Sequence, residues 1–119
     1  MGMIDNFEKL LASGKDSALL RFSLGHEYLK LDDATKASEH LRAAAAQDPG
    51  YSAAWKLLGK SLTLINDVPG AIEAYTQGIA AAKAKGDKQA EKEMTIFLRR
   101  LVMAAVPPTC PPSQAPKVP

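Results

Sequence analysis

His26, His40, Cys110 and the adjacent carboxylates Asp32 and Asp33 are the residues of this 119-residue chain whose types could do chemistry. A metal site needs three or four ligands at suitable spacing, and no second ligand so placed accompanies either histidine. Nucleophilic catalysis needs a Ser/His/Asp or Cys/His set, and phosphate binding needs a glycine-rich loop ahead of a helix. Neither motif stands in the sequence. An acidic pair at a helix start serves capping and the helix dipole, and Asp32 and Asp33 are read that way. These patterns point away from an enzyme and imply no cofactor and no bound metal.

Charge offers a different kind of site. Lys56 and Lys60 lie one helical turn apart, an arrangement of like charges that mildly destabilises a helix. They present a cationic patch for a carboxylate or acidic stretch of a partner, or are two solvated lysines on an exposed face. Phe22 beside His26 is either an aromatic subsite or part of the packing between helices. A formal net charge of +2 exerts no strong pull on nucleic acid. No stretch approaches the 18 apolar residues that suggest a membrane span. The first twenty residues lack an apolar leader, and the single cysteine cannot form an internal disulfide, so a cytoplasmic, reducing compartment is expected.

The elements that position these residues are helices. Apolar spacing and punctuation predict six, the first from Ile4 to Ala12 with Asp5 or Asn6 near its start and Gly14 at its end. The second spans Ser17 to Leu31, and Asp32–Asp33 then form a turn and a cap. The third spans Ala34 to Gln47 and stops at Asp48–Pro49–Gly50, because proline disfavours helix at the residue before it. The fourth, Ser52 to Ile65, has Ser52 as its expected cap. After Asn66–Asp67, Pro69 suits the first turn of a fifth helix, which runs to Lys85 and ends at Gly86. Asp87 caps a sixth that reaches Ala105, with Ala90, Met94, Phe97, Leu98, Leu101 and Val102 on one face. Residues 1–106 form the helical domain. Six of the thirteen residues from Pro107 to Pro119 are proline, so 107–119 is expected to be a disordered or polyproline-like tail.

Thirty-four residues separate Leu24–Gly25 from Leu58–Gly59, and the residues around both pairs repeat at the same spacing. Tyr28, Ala37, Leu41 and Ala44 are matched by Leu62, Ala71, Tyr75 and Gly78. A fixed period of this size is the signature of a stacked repeat. It resembles the tetratricopeptide repeat, a helix–turn–helix unit with the pattern W-x2-L-G-x2-Y, A-x3-F, A, P. Leu24, Gly25, Tyr28, Ala37, Ala44 and Pro49 match the first unit outright, with Arg21 where Trp is usual. Trp55, Leu58, Gly59 and Ala71 match the second, whose closing proline is absent. The first helix reads as the second half of one further unit. The sixth reads as the first half of another, its frame slipped by one residue at Gly86.

The resemblance implies an all-α solenoid, two full units flanked by two half-units. In it Gly25 and Gly59 mark the close approach of paired helices, with Ala37 and Ala71 opposite, so Gly25→Leu should overpack the contact. It also implies a concave groove lined by the first helix of each unit, where a protein or peptide partner binds. The residues it places there are Leu19, Phe22, His26, Lys30, Ala53, Lys56, Lys60 and Thr63, extended by Glu91, Thr95 and Leu98. The expected function is a non-enzymatic adaptor, with Lys56 and Lys60 steering toward acidic segments. A lysine-and-asparagine clamp for C-terminal carboxylates, found in some relatives, is not reproduced, because Phe22 and His26 occupy its places. The alternatives are a self-associating structural subunit and a regulatory subunit that binds through the proline-rich tail. No nucleic acid or membrane partner is expected, and the chain is expected to be a monomer or a weak homo-oligomer.

Overall fold

The computed structural model describes residues 2–105; the tail 107–119 and Cys110 lie outside the described residues. Six helices follow one another: α1 Met3–Ala12, α2 Ala18–Lys30, α3 Ala34–Gln47, α4 Ser52–Leu64, α5 Val68–Lys85 and α6 Lys88–Ala105. Each packs on its chain neighbours. In addition α2 touches α4 and α4 touches α6, whereas α1, α3 and α5 do not touch one another. The stack is all-α, and its α2–α4–α6 layer is the tighter, inner side.

One device joins the helices three times. Asp32 (φ 60°), Asn66 (φ 65°) and Gly86 (φ 76°) take the left-handed conformation after α2, α4 and α5; Asp and Asn tolerate it better than other non-glycine residues. The next residue is an aspartate each time. The amides of Asp33, Asp67 and Asp87 donate back to the carbonyls of Tyr28, Leu62 and Ala82 at 2.9, 2.8 and 2.9 Å, closing the finished helix as a Schellman motif does. Their carboxylates accept from Lys36, Gly70 and Ala90 amides at 3.2, 3.1 and 3.1 Å, capping the next helix. A single residue thus ends one helix and starts another.

The expected cap at Ser52 is not formed. The Tyr51 amide reaches the Asp48 carbonyl at 2.9 Å and the Gly50 amide reaches the Asp48 carboxylate at 3.2 Å. The turn therefore closes early, Tyr51 becomes the residue before the helix, and Ser52 is buried as its first residue. Trp55 ties the turn down, its indole N–H donating to the Pro49 carbonyl at 2.8 Å.

Glycine sets how closely the pairs approach, though not against the residues expected. A Cβ on Gly25 would collide with the side chain of Leu41, and one on Gly59 would stand 2.6 Å from the ring of Tyr75. The partner in each pair is the large residue four positions, about one turn, beyond Ala37 or Ala71. Both alanines are themselves fully buried.

α6 also departs from its expected frame. α2, α4 and α6 begin at Ala18, Ser52 and Lys88, spacings of 34 and then 36 residues, so the slip is two residues rather than one. α5 has 18 residues where α3 has 14, which outweighs the shorter joint after it. Met94 consequently falls level with Leu24 and Leu58, and all three are at most 1% exposed. Thr95 falls level with the two glycines. Phe97, Leu98 and Leu101 pack partly buried against the core, whereas Val102, expected on the same face, is exposed.

At the other end, polar groups fasten α1. Tyr28 donates to the Glu8 carboxylate at 2.6 Å, and His40 Nε2 lies 3.7 Å from it. The His40 and Tyr28 rings are parallel, 5.5 Å apart. Arg21, standing where Trp55 stands in the second unit, grips Asp16 at 2.9 and 3.0 Å and reaches His40 Nδ1 at 3.3 Å. Gln47 donates to Asp16 at 2.8 Å. Arg21 and Gln47 hold the Asp16 carboxyl down at about 2, while burial pushes His40 below its ordinary value.

Two predictions follow from this packing. Gly59→Ala should lower stability by about 1–3 kcal/mol, read from urea midpoints. Gly50→Ala, whose Cβ meets its nearest neighbour at an ordinary 3.5 Å, should change it by less than about 0.5 kcal/mol; equal losses would contradict the packing account. The second concerns pH. His40 binds its proton less tightly when folded, so its contribution is complete above the unfolded value near 6.5 and declines as pH falls through it. The decline should vanish in His40→Gln. A further loss, that of Asp16, should follow from about pH 4 downward. A wild-type profile flat between about pH 7 and 5 would contradict the His40 assignment.

Candidate functional site

The members of the polar cluster around His40 are tied to one another. The open concavity lies elsewhere, between α4 and α6. It is a groove of about 750 Å³. α4 contributes Lys56, Leu57, Lys60, Thr63 and Leu64; α5 contributes Tyr75; α6 contributes Glu93, Phe97, Arg100, Leu101 and Ala104.

The local structure explains this composition. Residues 93, 97, 100, 101 and 104 recur at helical spacing and so form one face of α6. The two-residue slip turns that face toward α4. Tyr75 is buried because it lies against Gly59, and its ring meets Phe97 with centroids 5.7 Å apart. Burial pushes the Tyr75 phenol above its ordinary value, so it stays neutral. The walls and floor are thus apolar and aromatic, with charge at the edges.

Across the groove, Lys56 Nζ donates to Glu93 at 2.8 Å, with both side chains more than a third exposed. Lys56, and then Gln89, hold the Glu93 carboxyl below the usual range. Lys60 and Arg100 make no ion pair among the described residues. The groove thus joins an apolar floor to a charged rim. It can bury apolar side chains and meet anionic groups at its rim.

Of the residues placed in a groove by sequence, Lys56, Lys60 and Thr63 line this one. Phe22, His26 and Lys30 lie on α2: Phe22 packs on Tyr51 (4.9 Å) and faces His26 (6.4 Å), and Lys30 pairs with Glu27 at 3.3 Å. Glu91 and Thr95 are not brought to the lining. Glu91 faces Lys83 at 4.0 Å, and the Thr95 hydroxyl donates to the Glu91 carbonyl at 2.7 Å. Sequence reasoning missed the entire α6 wall and Tyr75. Counting from Ser52, the expected cap, to Asp87 gives 35 residues and a one-residue slip; counting from Tyr51, the residue that precedes α4, gives 36.

Among the described residues no helix is long and apolar enough to cross a membrane. No family model matches the chain. A TPR repeat-containing protein of Pseudomonas aeruginosa is 58% identical over 99 residues, covering 83% of this chain and 94% of that protein. A CTR9 homolog of Arabidopsis thaliana is 32% identical over 87 residues, but the match spans only 8% of that protein. The solution structure of a Bordetella parapertussis protein aligns with a TM-score of 0.73 at 45% identity, covering 87% of this chain and 90% of that one. The crystal structure of a tetratricopeptide repeat domain protein of Salinibacter ruber aligns at 0.67 with 27% identity, covering 72% and 96%. Repeat spacing, buried positions, the fold and the Pseudomonas relative agree: the chain belongs to the tetratricopeptide repeat family.

Proposed function

We propose that this chain is a non-enzymatic adaptor whose α4–α6 groove takes an apolar peptide or helix of a partner protein, flanked by acidic residues. Proteins of this family generally mediate protein–protein interaction. The observation that carries the finer reading is the groove's makeup, an apolar and aromatic floor with Lys60 and Arg100 at its edge, neither in an ion pair among the described residues. Apolar burial supplies affinity, and rim charge supplies orientation and selectivity.

Lys56 adds to this. A half-exposed ion pair contributes little, so an incoming carboxylate can replace Glu93 on Lys56 at small cost. Phe22 and His26 stand one period before Lys56 and Lys60, and in this reading they and Lys30 form the approach along α2. Glu91 and Thr95 are left out of the binding surface.

Peptides selected from a random library on the wild-type chain should be enriched in apolar residues flanked by Asp or Glu. Lys60→Glu with Arg100→Glu should weaken those peptides by about tenfold or more and shift fresh selections toward basic flanks. Selections without acidic bias, or unchanged in the double variant, would refute the assignment.

A further inference from the structure

The two ends of the stack are unlike halves of one unit. In complete pairs Ala37, Ala71, Ala44 and Gly78 are buried against the partner helix. The corresponding residues of α1, 34 positions earlier, are Met3 and Leu10, which are 54% and 43% exposed. Among the described residues α1 is therefore a second helix without a first.

α6 is the converse. Ile96, Arg99 and Arg100 stand 36 positions after Lys60, Thr63 and Leu64, the residues with which α4 forms its side of the groove to α6. On α6 they line, with Met103, a shallow apolar concavity that no following helix covers among the described residues. Met103 is 70% and Ile96 45% exposed.

From this register we infer that copies of the chain associate head to tail, the α1–α2 end of one docking on α6 of another. The second copy's α2 then follows α6 as α6 follows α4. In that register its Glu27 takes the place of Phe97 and faces Arg99 and Arg100, and its Leu31, 66% exposed, takes the place of Leu101 and meets Met103. Its α1 supplies the missing partner of α6. Asp5 and Glu27, the latter also pairing with Lys30 at 3.3 Å, stand at one end, and Lys92, Arg99 and Arg100 at the other. Thr95 stands where the internal units have glycine, so its Cβ keeps the incoming α1 farther away than α3 is from α2. The junction is looser than the internal ones, and association is reversible. Because the two contacting surfaces differ, it adds copies one after another rather than closing a symmetric pair.

Arg100 borders both surfaces, but Met103 and Leu31, the residues altered in the test, do not line the α4–α6 groove. In sedimentation equilibrium from about 10 μM to about 1 mM, where weak interfaces report, the wild-type mass should rise with no plateau at the dimer. Met103→Glu and Leu31→Glu alter exposed side chains, and each should weaken association by about tenfold. An equimolar mixture of the two should recover association, stopping at the dimer, since each retains the end the other has lost. A wild-type chain that stays monomeric overturns the inference. So does a Leu31→Glu chain that associates like wild type, the result expected for symmetric α6 pairing. A full chain that is monomeric but associates once 106–119 are deleted also overturns it, and makes the tail the occupant of α6.

Discussion

The packing of a glycine backbone against a large side chain at the waist of each helix pair is the contact on which the rest depends. Leu41 lies against Gly25 and Tyr75 against Gly59, in each case where a Cβ would collide. Close approach there buries Ala37, Leu41, Ala71 and Tyr75 almost completely and fixes the spacing of the stack. Tyr75 serves twice. One part of its ring seals the α4–α5 pair, and another forms the floor of the groove beside Phe97. The groove is therefore a consequence of the core contact rather than an addition to it.

Helix joints convert this packing into a particular site. Asp33, Asp67 and Asp87 each close one helix and cap the next, so the chain reverses with almost no loop. Between α5 and α6 the same joint follows a longer helix, and the two-residue displacement rotates α6. Glu93, Phe97 and Arg100 then face Lys56, Leu57 and Lys60. Without that displacement the wall opposite α4 would carry other residues and a different charge.

This explains what was legible in the chain and what was not. The repeat was legible because positions such as Leu24, Gly25 and Ala37 tolerate one size class, and their recurrence after 34 residues survives changes elsewhere. The glycine partners were misplaced by one turn, since spacing alone does not say which side chain of the opposing helix lies across from a given backbone. Ser52 failed as a cap because the Asp48–Gly50 turn closes before it. Lys56, Lys60 and Thr63 line the groove because α4 keeps the 34-residue frame of α2. The α6 wall was missed because its frame is counted from the start of α4, and the Asp48–Gly50 turn makes Tyr51 rather than Ser52 the residue before that helix. Arg21 marks another such limit: a polar residue at the usual Trp position is explained only by Asp16 and His40, which folding brings to it.

The most direct measurement is amide chemical-shift mapping of the folded chain titrated with a short peptide of apolar residues flanked by aspartates. The largest changes should fall on Lys56, Lys60, Thr63, Phe97, Arg100 and Leu101 and diminish as salt is raised. Changes confined to α1, to the outer face of α6 around Met103, or to no residue at all would contradict the groove assignment.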